Sequence, residues 1–196
     1  YLVELLAAIP SVVYGLWGIF VLLPLVRSFQ LWFVQTTGVN WPPAGFGVMT
    51  ASILLAIMII PFIASISRDV IRLVPNDQRE AAYALGATKW EVIRTGILPY
   101  ARAGIFGGII LGLGRAIGET LAVTMVIGNA NKIPTNPFDQ AATMSSIIAS
   151  QFPEATDPKF VGSLIAIGLL MLVFSVAVNY GASVVIRKLT PAGVRL

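Results

Sequence analysis

Residues 74–99 read VPNDQREAAYALGATKWEVIRTGILP, a polar stretch set between long apolar ones. It holds two helix starts. Asp77 followed three residues later by Glu80 has the spacing of a capping arrangement. Thr88 with Glu91 forms a full capping box, in which each side chain satisfies an orphan backbone N–H of the other residue. Gly86 falls between the two, where a helix ends on a left-handed residue. The spacing predicts a helix of about two turns, a sharp glycine turn and a second helix, with Pro99 leading toward the next apolar run. Ala81, Ala82 and Leu85 give the first helix a small-residue face suited to a groove on a partner. The same pattern also fits a helical hairpin lying on a membrane, its basic residues against anionic lipid.

On either side the chain is apolar. A spanning helix takes about 20 mostly apolar residues, and four runs qualify: Leu5 to Val26, Gly47 to Ser67, Gly104 to Gly128 and Phe160 to Ile186. Kinks are expected at Pro10 and Pro61, where neighbouring helices can satisfy the freed carbonyls. Of 196 residues, 57% are hydrophobic and 11% charged, less than half the charge of an ordinary soluble domain at about 25%. These properties predict one all-α, polytopic transmembrane bundle over residues 1–196, with residues 68–103 as a loop within it. The chain opens in an apolar stretch with neither an initiator Met nor a basic leader, so no signal peptide is expected and the sequence reads as a piece of a longer protein.

The basic residues set the sidedness. The loop carries Arg68, Arg72, Arg79, Lys89, Arg94 and Arg102, and the tail adds Arg187, Lys188 and Arg195, against Arg27, Lys132 and Lys159 on the other side. Nine against three places loop and tail in the cytoplasm. The net charge of +4 is thus spent on topology rather than on nucleic acid. In the external connections, Trp32, Phe33 and Trp41 suit an interfacial belt. Asn136-Pro137 leads into a short helix with Met144, Ile147, Ile148 and Phe152 on one face.

The thirteenth basic residue, Arg115, lies inside the third run, with Glu119 four residues on. On a helical wheel Gly104, Gly108, Gly112, Arg115, Glu119 and Ala122 fall within about 80° of one another. Phe106, Leu113, Ile117 and Thr124 lie opposite. The thin side suits close helix contact or a narrow path, the bulky side lipid. Arg115 sits roughly 17 Å along the helix from Gly104, near mid-bilayer, where such a charge costs roughly 2.5–3.5 kcal/mol on insertion scales. Two readings are open. Arg115 and Glu119 pair one turn apart and fix helix register, or they line a route for an anion that the guanidinium fork binds and the carboxylate helps release. Ser11 and Tyr14, which follow Pro10, read either as local hydrogen-bonding groups or as further contacts to such a route, and Asn179 in the fourth run reads as interhelical glue.

Without His or Cys the chain lacks the commonest general base and the commonest transition-metal ligands, so no metal site is expected. With no GxSG motif and no pair of spanning aspartates, an intramembrane enzyme lacks its parts. An anion channel would need no docking loop.

Glu80-Ala81-Ala82, then Gly86, then Leu98-Pro99 resembles the EAA loop of permease subunits of bacterial ABC importers, with Gly96 where that family usually has an aliphatic residue. AAIPSVVYGLWG (7–18), REAAYALGATKWEVIRTGILPYARAGI (79–105) and GLGRAIGETLAVTMVIGN (112–129) are similar to phosphate-importer permeases of the PstC type over essentially the whole chain. The resemblance implies a MetI-like permease fold in the bacterial inner membrane, lacking here that family's N-terminal helices. It implies that Glu80, Ala81, Ala82 and Gly86 form a coupling helix docked in a cytoplasmic ATPase, and that Arg115 and Glu119 belong to the phosphate path. It implies a heterodimer with a PstA-like permease, a PstB-like ATPase pair and an extracytoplasmic phosphate-binding protein. No GxxxxGK[ST] is present, so ATP binding is expected only on the partner and no cofactor on this chain. An importer of another oxyanion or of an amino acid is the nearest alternative.

Overall fold

The computed structural model describes residues 6–39, 41 and 43–189, with side chains to residue 184. The basic tail, Arg187, Lys188 and Arg195, lies outside the described side chains. Among the described residues the main helical segments are, in order, α1 (Ser11–Thr37), α2 (Val48–Arg72), α3 (Asn76–Ala84), α4 (Lys89–Ile117), α5 (Leu121–Val126), α6 (Met144–Gln151) and α7 (Pro158–Leu189). Among the described residues the extended backbone pairs only in an isolated bridge, Gly128 with Ala141. α1, α2, α4 and α7 are long and apolar enough to cross a membrane.

The prolines act differently from one another. Pro10 stands ahead of α1 as its N-cap rather than kinking it. Pro24 follows a π-turn at Gly18–Leu22, and Pro99 follows another at Val92–Ile97. A proline ring clashes with the carbonyl four residues back and supplies no N–H; widening the preceding turn to the five-residue repeat makes room for it. Pro61 lies within α2, which is assigned as continuous α-helix across it. The turn before Pro99 also changes the expected layout: the second loop helix and the third span are one helix, Lys89–Ile117. The third span in turn ends earlier than expected, at Ile117, and resumes as the short α5.

The expected thin face of α4 is a packing seam. A Cβ on Gly104 would lie 2.5 Å from Val70 Cγ1, on Gly108 2.9 Å from Ile66 Cγ2, and on Gly112 2.6 Å from Ile63 Cγ1. Glycine at four-residue spacing lets the α4 backbone lie directly on the branched side chains of α2, the close contact that drives association in lipid. α5 lies on α1 in the same way: Ala122, Val123 and Val126 join Tyr14, Leu22, Leu54 and Met58 in the core.

The chain around residues 126–139 closes the outer end of α2. The Gly47, Val48 and Met49 N–H groups donate to the carbonyls of Val126 (3.2 Å), Asp139 (3.0 Å) and Pro137 (2.7 Å), which satisfies orphan donors of the helix start. Gln30, buried in α1, accepts the Gly45 N–H at 3.0 Å. Trp41 stacks on Phe33 at 5.5 Å and meets Phe138 at 5.2 Å, so the expected aromatic belt is also the clasp between the external connections.

Candidate functional sites

The segment between α2 and α4 follows its sequence closely. Gly86 is left-handed, with φ +77°. Its N–H donates to Tyr83 O at 2.9 Å and the Ala87 N–H to Ala82 O at 3.2 Å, the two bonds of a Schellman ending. The capping box closes at once: Thr88 N–H donates to Glu91 Oε2 at 2.7 Å, and Glu91 N–H donates to Thr88 Oγ1 at 3.5 Å. Asp77 differs from expectation. α3 begins at Asn76 after Pro75 with no side-chain cap, because proline already presets the first turn, and Asp77 lies inside that turn facing the helix dipole.

No residue of α3 is buried, Glu80 and Ala81 are exposed, and Leu85 just beyond it is 89% exposed. The small-residue face is divided. Ala82 lies over the π-turn of α4, its Cβ 3.9 Å from the place a Cβ on Gly96 would take, with Gln78 O at 3.2 Å. Glycine at position 96 is therefore what lets α3 cross so near α4. A signal that the sequence reading missed is Arg79, which reaches back to the Ile71 carbonyl at 3.3 Å and ties α3 to the end of α2.

Deeper in the bundle, Arg115 stands one turn past Gly112 and opposite the middle of α2. Its guanidinium lies 5.2 Å from the Phe62 ring centroid, within cation–π range. The expected pair with Glu119 does not form. The helix stops two residues after Arg115, and the non-helical Gly118–Thr120 carries Glu119 out of the four-residue register. Glu119 Oε1 instead accepts the Ala122 N–H at 3.3 Å at the start of α5, and its backbone carbonyl accepts Ser145 Oγ at 3.0 Å. Both residues are half-buried. Among the described residues no carboxylate lies within ion-pair distance of Arg115.

The α6 helix is capped by Thr143 and Ser146, and its buried side is Ser145, bonded to the break between α4 and α5, and Ser146, bonded to Thr143; the expected apolar face is only half covered, with Phe152 50% exposed. Tyr14 donates to Leu6 O at 2.7 Å, a local bond as expected.

Comparison with known proteins agrees with this architecture. An inward-facing structure of the MetNI methionine ABC transporter matches with a TM-score of 0.69 over 97% of this chain and 73% of that one; at 17% identity the likeness concerns the fold, which is the expected MetI-like permease fold. Relatives named "Phosphate transport system permease protein PstC" include those of Mesorhizobium japonicum, 48% identical over 88% of this chain and 56% of the relative, and of Haemophilus influenzae, 44% identical over 95% and 62%. The relative named PstC 2 in Mycobacterium tuberculosis is 45% identical over 92% of this chain and 59% of its own. The chain thus spans roughly three-fifths of the length of these relatives. The family model described as binding-protein-dependent transport system inner membrane component matches residues 1–191. With four apolar spans, an exposed helix between two of them and that match along nearly its whole length, the chain belongs to the family of binding-protein-dependent transport system inner membrane components.

Proposed function

We propose that this chain is the permease part of an ATP-driven phosphate importer: it forms half of a translocation path and docks a cytoplasmic ATPase through α3. Its partners on this reading are a PstA-like permease, a PstB-like ATPase pair that binds the ATP, and an extracytoplasmic phosphate-binding protein. The curated relatives named for phosphate transport support the substrate, and the exposed, unburied α3 supports the dock.

The observation that carries the path is Arg115. It is a half-buried guanidinium at mid-span, held on an aromatic face with no carboxylate among the described residues to neutralise it. A charge is expensive at that depth unless something of opposite sign visits it. A planar, permanently charged fork suits an oxyanion, and cation–π contact holds it in place without competing as a counter-ion. Glu119, kept at the helix break beside the route, adds a carboxylate that weakens anion retention, and conduction needs release as well as entry.

The helical layout gives a means of coupling. Lys89–Ile117 is one helix running from the capping box to two residues beyond Arg115. A push on α3 passes through the Gly86 turn and the Thr88–Glu91 cap into that helix, and so to the arginine.

The test uses the full-length permease assembled with its partners in proteoliposomes and follows uptake of radiolabelled phosphate against sulfate. Arg115→Gln is expected to abolish phosphate uptake with the complex intact. Loss of assembly, or normal uptake, overturns the assignment of Arg115 to the path. Uptake of sulfate or an amino acid in place of phosphate by the unaltered complex overturns the substrate in favour of another importer type.

A further inference from the structure

The polar residues of α7 remain without a role. Ser175, Asn179 and Ser183 recur every four residues in a helix that is otherwise strongly apolar. Asn179 is exposed. Its Nδ2 donates to the Ser175 carbonyl at 2.9 Å, and its Oδ1 lies 3.4 Å from where a Cβ on Gly114 would sit. Among the described residues no hydrogen-bond donor meets that oxygen. In lipid an amide oxygen left unpaired is costly, so an exposed one within a span faces a partner or a wet cavity.

Gly114 immediately precedes Arg115, and this fixes where Asn179 stands. At about 100° per residue, Gly114 lies about 120° round α4 from Gly108, which faces α2. The arc between carries Leu111, which is 58% exposed, Arg115, and the exposed Gly118. The face of α4 between its contacts with α2 and with α7 is therefore exposed at Leu111 and Gly118, and it carries the half-buried Arg115 beside Phe62. Two antiparallel right-handed helices wind in opposite senses when viewed from one end. Arg115, which follows Gly114 on α4, and Asn179, which follows the half-buried Ser175 on α7, consequently emerge on the same side of the pair.

We infer that Asn179 is a second polar contact for the translocated anion and helps set its class: Oδ1 accepts a hydrogen bond from a protonated oxygen of the anion while Arg115 holds the unprotonated ones. This rests on Arg115 lying on the path. Inorganic phosphate keeps at least one P–OH at neutral pH, and arsenate likewise keeps an As–OH, whereas sulfate keeps no such proton. An acceptor with no donor of its own favours the first two and gives the third an uncompensated lone-pair clash.

The experiment measures equilibrium binding of radiolabelled inorganic phosphate to the full permease–ATPase complex without the binding protein, so that the membrane site alone selects, with arsenate and sulfate as competitors. Asn179→Leu is expected to weaken phosphate and arsenate roughly threefold to tenfold, the value of one hydrogen bond, and to tighten sulfate, whose lone-pair clash it removes. Asn179→Thr restores an oxygen that both accepts and donates, and is expected to recover phosphate binding while giving up part of the preference over sulfate. An unchanged preference in Asn179→Leu, an equal loss for all three anions, or disassembly of the complex in both variants overturns the inference. Retained phosphate binding in Arg115→Gln instead sinks the path assignment, whatever Asn179 does.

Discussion

Gly104→Ala tests the packing that holds α4 in place, and two opposing effects set its size. In an isolated helix alanine is better than glycine by about 1 kcal/mol. Here the added methyl would lie 2.5 Å from Val70 Cγ1, 2.9 Å from Cγ2 and 3.3 Å from Cβ. Carbon atoms prefer about 3.5–4.0 Å. Valine in a helix has essentially one χ1 well, and rotation exchanges one methyl for the other without clearing the space. Overpacking of this kind costs about 1–3 kcal/mol, so the helix gain is cancelled and a net loss of up to about 2 kcal/mol is expected. Gly181→Ala on α7, where nothing lies within 4 Å of the new methyl, keeps the helix gain without the clash. The assay is thermal unfolding of the full-length permease in nanodiscs, with Val70→Ala completing a double-mutant cycle. Gly104→Ala and Val70→Ala should couple by about 1 kcal/mol or more, because removing both valine methyls makes room for the alanine. A Gly104→Ala protein as stable as the Gly181→Ala protein, or a cycle that closes to zero, refutes direct α2–α4 backbone contact.

Gly86→Val places a β-branched residue at φ +77°, at a cost of about 1–2 kcal/mol, and should frac the turn that orients α3; transport-stimulated ATP turnover should fall in this variant and survive in Gly86→Asn, since asparagine tolerates the left-handed region. Equal turnover in both variants counts against the dock. Asp139 receives the Thr135 hydroxyl at 2.7 Å, the Thr135 N–H at 2.9 Å and the Asn136 N–H at 3.2 Å, and these bonds, the Thr135 hydroxyl foremost, hold its carboxyl down at about 2. A folded-state value below the ordinary one means that the contribution is complete above pH about 4 and is lost as pH falls toward 2. Asp139→Asn should therefore speed amide exchange at Gly47, Val48 and Met49 at neutral pH, while the unaltered protein loosens there only in acid; identical exchange at neutral pH would show that the Asp139 turn does not hold the outer end of α2.

Local chemistry was legible where both partners of an interaction lie within one turn of each other. Thr88 and Glu91 are three residues apart, and Gly86 needs only its own chain to close a Schellman ending, so both took their expected form. The four apolar spans followed from length and composition alone, because lipid imposes those rules on any chain. Asp77 misled because proline at position 75 competes for the same task. Arg115 and Glu119 have ideal helical spacing, and nothing near them in sequence shows that Ser145, twenty-six residues on, takes the Glu119 carbonyl and stabilises a break there. Gly96 looked like a departure from a pattern and proved to be the place where α3 crosses α4.

The sequence by itself determined that the chain is a bundle of membrane-length apolar helices with a capped helix–turn–helix between two of them, and that one arginine lies within an apolar run, since hydropathy and capping act on neighbours in the chain. Tertiary structure alone decided which glycines lie on which helix, that Arg115 rests on Phe62 rather than on Glu119, and that Asn179 stands over Gly114. Those outcomes depend on contacts between residues tens of positions apart, whose energies belong to the packed helices and not to any one segment.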